Sequence, residues 1–190
     1  MKDLTKITEI EDLRRVAERK VPRMFYDYVD SGSWTQTTYR NNETDFDRIK
    51  LRQRVLVDME NRSLATTMIS EKVNMPVAIA PTGFTGMMWA DGEIHAARAA
   101  EKFGVPFSLS TMSICSIEQV AKETKNPFWF QLYVMRDKKF VENIIKRAGD
   151  AKCHALVLTL DLPILAQRHK DIRNDLSAPP RLTFNNILQI

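Results

Sequence analysis

Four short apolar runs, each closing on polar residues, recur along the second part of this 190-residue chain. They are Val77-Ala78-Ile79-Ala80, Pro106-Phe107-Ser108-Leu109-Ser110, Phe128-Trp129-Phe130-Gln131-Leu132-Tyr133 and Ala155-Leu156-Val157-Leu158-Thr159-Leu160. Their starts lie roughly 22 to 30 residues apart. That spacing is too long for hairpins and right for crossover helices, which parallel strands require. Helix signals fill the gaps. Asp91-Gly92-Glu93 opens a helix that Gly104 stops. Ser116-Ile117-Glu118-Gln119 reads as a capping box. Asp137 opens a helix to about Ala148. The rhythm is that of a parallel α/β protein.

The run at 128–133 is the most informative. Buried parallel strands are usually apolar throughout, yet Gln131 and Tyr133 interrupt this one. Side chains alternate along a strand, so both point to the face of Trp129, while Phe128, Phe130 and Leu132 point to the other. A buried amide carries a desolvation cost unless it is bonded or lines a site. The same parity groups Ala78, Ala80 and Thr82; Ser108, Ser110 and Met112; and Thr159 and Asp161. In a (β/α)₈ barrel, the C-terminal strand ends build the active site.

Ahead of the first run the pattern is helical. Thr8-Glu9-Ile10-Glu11 predicts a capped helix to about Lys20, with Thr8 as N-cap and Glu11 as its box partner. Pro22 suits the first turn of a second helix through about Asp30, ended by Ser31-Gly32-Ser33. Residues 34–50 read as loop and short helix, and Arg54-Val55-Leu56-Val57 as a short strand outside the main sheet. Residues 1–190 are expected to belong to a single domain, with an N-terminal helical and extended segment over 1–75 followed by strands and helices over 76–190. The net charge of +4 is spread rather than clustered, which argues against nucleic acid as a partner. Cys115 and Cys153 have no metal-ligand spacing and fit a reducing cytosol better than a disulfide framework. No metal site is expected.

Several stretches carry a family resemblance. Met75 to Gly83, Leu109-Ser110-Thr111, Phe130 to Tyr133, Leu158 to Pro163, and Phe25-Tyr26-Asp27-Tyr28-Val29-Asp30-Ser31-Gly32 resemble the FMN-dependent α-hydroxy-acid dehydrogenases and oxidases. The likeness runs from about residue 4 to 185. Leu51 to Leu56 and Pro127 to Tyr133 are most similar to bacterial respiratory L-lactate dehydrogenases. The resemblance implies a TIM (β/α)₈ barrel flavoprotein, of which the chain carries the N-terminal helices and about the first four βα units. It also implies oxidation of an L-2-hydroxy acid, L-lactate first, with FMN as cofactor.

The roles that follow are those of the family. Ala80, Pro81, Thr82 and Gly83 lay backbone against the flavin, where Gly83 lacks a Cβ. Ser110, Gln131 and Thr159 are further flavin contacts. Tyr26 and Arg168 resemble the residues that hold the substrate carboxylate, and Tyr133 the phenol beside the reacting hydroxyl. Asp161 resembles the carboxylate paired with a histidine base. His95 and His154 fall on the wrong side of the strands for that base, and His169 in a basic loop. Met112 replaces a tryptophan of plant-type oxidases and Gly83 an alanine of many oxidases; both favour the dehydrogenase branch. The family's active-site lysine, histidine base, second substrate arginine and phosphate site have no match here. The chain alone is therefore expected to be inactive. Alternatives are another FMN-binding barrel enzyme, such as an isomerase, or a non-catalytic half-barrel needing a partner chain with two open parallel edges. The resemblance further implies a respiratory cytochrome or quinone as electron acceptor and a homo-oligomer at full length. The expected location is the cytoplasm, or the inner face of the bacterial membrane as a peripheral protein.

Overall fold

The computed structural model describes residues 4–162, 164 and 166–176. The chain divides into two compact units, Met1–Val55 with Ile164–Ile190, and Leu56–Pro163. This division differs from a boundary at 75. The first unit returns to itself through residues after the last strand, and the second takes in 56–75.

The described part of the first unit is helical: α1 (Ile10–Lys20), α2 (Arg23–Val29), α3 (Thr37–Thr44) and, late in the chain, α8 (His169–Arg173). Pro22 is the N-cap of α2 and Asp30 its C-cap. The expected Thr8/Glu11 box does not form. Glu9 is the N-cap of α1, without a side-chain cap bond. Instead Asp12 accepts from both the backbone N–H and the hydroxyl of Thr8, each at 3.1 Å. The helix begins one residue later than expected, which makes Asp12 rather than Glu11 the acid in reach.

The second unit opens with β1 (Thr66–Met68) and β2 (Glu71–Val73), an antiparallel hairpin that the sequence did not signal. Its turn residues Ile69 and Ser70 have φ of 46° and 64°. Such turns usually advertise themselves with Asn or Gly; a β-branched residue there is uncommon. His154 reaches the Ile69 carbonyl with Nε2 at 2.7 Å and secures the turn. Arg54–Val57 is not a strand.

Then come α4 (Thr85–Met88), α5 (Gly92–Phe103), β3 (Ser108–Ser110), α6 (Ile117–Glu123), β4 (Trp129–Leu132), α7 (Lys138–Asp150) and β5 (Ala155–Leu158). The three strands are parallel and in sequence order, β3-β4-β5. Val77–Ala80 is reduced to one parallel bridge, Ile79 to Phe107, with Ile79 N–H donating to Pro106 O at 2.8 Å. The capping box forms as expected, Ser116 Oγ accepting from Gln119 N–H and Gln119 Oε1 from Ser116 N–H. Gly104 stops α5 at φ 74°, and Asp137 caps α7, which runs two residues past Ala148.

One face of the sheet forms the core. Leu109, Phe130 and Leu132 pack with Ile94, Ala97, Val120 and Ile144 from α5, α6 and α7. Each fully buried side chain of this size stabilises by about 1.5–3 kcal/mol. The other face holds two layers in register: Ser108, Trp129 and Ala155, then Ser110, Gln131 and Val157. Alternate layers of this kind fill a barrel interior.

Candidate functional site

The upper layer carries a chain of side-chain hydrogen bonds across the strand ends. Gln131 is only 2% exposed and Ser110 only 4%. Ser110 Oγ donates to Gln131 Oε1 at 3.2 Å, and Gln131 Nε2 donates to Thr159 Oγ1 at 2.7 Å. Thr111 N–H also reaches Gln131 Oε1, and Met112 N–H donates to Ser110 Oγ at 3.0 Å. The amide is thereby oriented. Its oxygen accepts twice, its nitrogen spends one of two hydrogens, and the Thr159 hydroxyl hydrogen remains to donate. Two donors are held ready at the C-terminal end of a parallel sheet, and the desolvation cost of Gln131 is offset by these bonds.

Thr111, which sequence reasoning passed over, braces this layer. Its hydroxyl donates to Gln131 O at 2.6 Å and accepts from Tyr133 N–H at 3.1 Å. Tyr133 is thus held by its backbone with its side chain half-buried. Asp161, just past β5, is exposed, as are Ala80, Pro81 and Thr82. In the loop after the first run, Thr82 Oγ1 donates to Ala80 O and Thr85 Oγ1 to Thr82 O. The backbone N–H groups of Thr82 and Gly83 have no partner among the described residues. Ser110, Gln131, Thr159 and this loop therefore share one end of the sheet.

Tyr26 and Arg168 belong to the other unit, and both are engaged. Tyr26 donates its phenol to Asp30 Oδ2 at 2.9 Å; Tyr39 donates to Oδ1 at 2.6 Å, and Arg14 adds an ion pair at 3.0 Å. Burial raises the Asp30 pKa, but the bonds from Tyr39, Arg14 and Tyr26 outweigh it and hold the carboxyl below its ordinary range. Arg168 donates to Tyr28 O and to Ser31 Oγ, stacks over the Tyr28 ring at 4.7 Å and pairs with Asp171 at 2.7 Å. A substrate carboxylate would have to compete with these partners.

Neither His95 nor His154 stands at the strand mouths, and His169 belongs to the other unit. His95 is exposed on α5. His154 precedes β5, at the opposite end from Thr159. His169 meets Trp34 edge-on at 6.0 Å. Cys115 is buried, and burial together with neighbouring Glu93 pushes its thiol up to about 11, which leaves it inert at neutral pH. Glu93 itself, buried at 2% exposure, is a second residue that sequence reasoning missed. The expected tail beyond Pro179-Pro180 lies outside the described residues, as does Pro163.

Residues 17–190 match the profile of the FMN-dependent dehydrogenase family. Among solved structures, a monotopic membrane protein (S)-mandelate dehydrogenase superposes with a TM-score of 0.89 at 32% identity, over 97% of this chain and 49% of that one. A soluble mutant of the membrane-associated (S)-mandelate dehydrogenase from Pseudomonas putida gives 0.86 at 34%, over 97% and 53%. A mandelate oxidase gives 0.83 at 32%, over 93% and 52%. The chain spans about half the length of these relatives.

Proposed function

The chain belongs to the FMN-dependent dehydrogenase family, and on that premise we propose that it carries the flavin-ring contacts of an enzyme oxidising an L-2-hydroxy acid to the 2-oxo acid. The partial TIM barrel and the FMN requirement follow from the family. The observation that carries the proposal is the Ser110–Gln131–Thr159 chain, which presents an oriented amide N–H and a hydroxyl at the strand mouths. The acceptor-rich edge of a flavin pyrimidine suits such donors, and the unpaired N–H groups of Thr82 and Gly83 suit close backbone approach.

Bound FMN would supply the two-electron acceptor. The chain's own residues supply part of the site. Tyr133, fixed through Thr111, places a phenol beside the substrate hydroxyl. Asp161 places a carboxylate where it favours a cationic histidine base, as in other His–Asp pairs. Tyr26 and Arg168 are carried over as substrate-carboxylate donors; a guanidinium holds such a group bidentately. Neither His95 nor His154 stands at the mouth, and no residue is assigned to the histidine base or to the flavin phosphate. The 190-residue chain alone is therefore expected to bind FMN weakly at best and not to turn over L-lactate. A sub-micromolar affinity by isothermal titration, or turnover above free flavin, would contradict this.

L-lactate is the first choice of substrate because Leu51 to Leu56 and Pro127 to Tyr133 are most similar to bacterial lactate dehydrogenases. Mandelate is the second reading, favoured by the solved relatives. Parallel kcat/KM measurements on both acids, in the enzyme that contains this sequence, separate them. A respiratory cytochrome or quinone as acceptor, a homo-oligomer and peripheral attachment to the cytoplasmic membrane face complete the proposal. Among the described residues no helix is long and apolar enough to cross a membrane.

A further inference from the structure

We propose that Glu93 is a positioning residue whose buried carboxylate fastens α4, just after the 77–83 segment, to the loop after β3, and so sets the backbone at 80–83 that the flavin reading assigns to the cofactor. The inference rests on that reading for its functional half only.

Glu93 sits in the first turn of α5, where a carboxylate is electrostatically favoured. Its Oε1 accepts from two backbone donors on different segments, Gly86 N–H at 3.1 Å and Ile114 N–H at 2.9 Å. Gly86 begins three residues past Gly83, and Ile114 follows Met112. Beside this clamp, Phe84 N–H donates to Met112 O at 2.9 Å, so the two loops are joined twice. The approach is close: a Cβ on Gly86 would lie 2.7 Å from Ile114 Cβ and 3.1 Å from Glu93 Oε2. Glu93 also lines a cavity of about 120 Å³ with Ala80, Thr82, Ser108 and Ser110, which brings it against the cofactor-facing loop and the end of the Gln131 chain.

Packing alone does not explain an acid here. A buried carboxylate is costly unless hydrogen-bonded, and an apolar side chain would fill the same space without that cost. What the carboxylate adds is a pair of charge-assisted bonds, which are stronger than neutral ones and fix direction. In the sequence Glu93 reads only as part of a helix start, Asp91-Gly92-Glu93.

The test compares amide hydrogen exchange in the full 190-residue chain, with and without excess FMN, for the native protein and Glu93→Gln. Glutamine keeps the shape and removes the charge. Exchange across 82–86 and 112–115 is expected to accelerate about tenfold or more in the variant, with β4 and β5 unchanged, because both bonds are local and lose their charge assistance. Loops unchanged in Glu93→Gln, or a uniform acceleration that includes β4 and β5, would overturn the assignment. FMN is expected to slow exchange at 80–83 in the native chain and less so in the variant. Equal protection in both overturns the functional half for Glu93. No protection at 80–83 in the FMN-loaded enzyme that contains this sequence instead overturns the flavin reading and leaves the loop comparison to stand or fall by itself. Should Glu93→Gln fail to fold, Gly86→Ala decides: it prises the same joint while leaving the carboxylate, so loop-confined acceleration upholds the clamp and uniform acceleration overturns it.

Discussion

The strand mouths of the 56–163 unit and the α2–α8 region of the other unit both carry residues assigned to the site, but they treat them differently. At the strand mouths, Ser110, Gln131 and Thr159 bond mainly to one another and to local backbone, and the amide nitrogen of Gln131 and the hydroxyl of Thr159 each keep one hydrogen to donate. In the helical unit, Tyr26 is already bonded to Asp30, and Arg168 to Tyr28, Ser31 and Asp171. The first arrangement is preorganised for a ligand, in that binding needs no existing bond to break. The second is a network in which the proposed functional groups also hold helices together. Substitutions at the strand mouths should therefore affect the cofactor most, and those in the helical unit should mix stability with binding.

The largest effect is expected from Gln131→Leu. It removes the side-chain partner that the Ser110 and Thr159 hydroxyls share, while Thr111 N–H keeps its bond to the residue-131 carbonyl, and should cost about 1–3 kcal/mol in urea unfolding with loss of FMN affinity. A variant as stable as the native chain would mean that the layer is loosely held and the contrast fails.

Asp161→Asn comes next, measured in the complete enzyme. It keeps size and removes charge from an exposed residue. We expect kcat for L-lactate to fall about 10-fold or more with flavin still bound, about 1.4 kcal/mol. If rates normalised to bound flavin are unchanged, Asp161 only serves the following loop.

Tyr26→Phe and Tyr39→Phe sharpen the comparison, because both phenols donate to Asp30, at 2.9 and 2.6 Å. Each should cost about 0.5–1.5 kcal/mol of stability. Only Tyr26→Phe should also raise KM for the hydroxy acid. Equal KM values in the two variants would reduce Tyr26 to a helix-packing residue.

Acid should act on the helical unit through Asp30. Its folded pKa lies below the ordinary 3.8, so its stabilisation is full above that value and drains as pH falls through the folded pKa. Asp30→Asn should flatten the acid limb of the thermal midpoint against pH; an unaltered limb would show that the Arg14, Tyr26 and Tyr39 contacts contribute little. The smallest effect belongs to Glu118, lowered to about 2 chiefly by its bond to Arg147. Here too stability is present above the ordinary carboxylate pKa and lost toward pH 2, but the pair is solvent-exposed, so Glu118→Gln should change unfolding by less than about 1 kcal/mol.

The sequence by itself determined the elements whose physics is local. Period-two alternation placed Phe130 and Leu132 in the core and Gln131 on the opposite face, and Ser116, Asp137 and Gly104 marked helix ends because capping is settled within a few residues. Other features were decided only by tertiary structure, since their partners lie far along the chain. The first run became a single bridge to Phe107, about 28 residues on, rather than a full strand. The β1–β2 hairpin turns through Ile69 and Ser70, which no turn signal marks, with His154 bonded to the Ile69 carbonyl from 85 residues away. Gln131 found its bonding partners only when β3 and the residues after β5 came alongside. Glu93 became a buried clamp only when Gly86 and Ile114 met over it, and Tyr26 and Arg168 acquired partners that compete with any substrate. Alternation and capping act at short range, whereas the partner of a polar group is chosen by the fold.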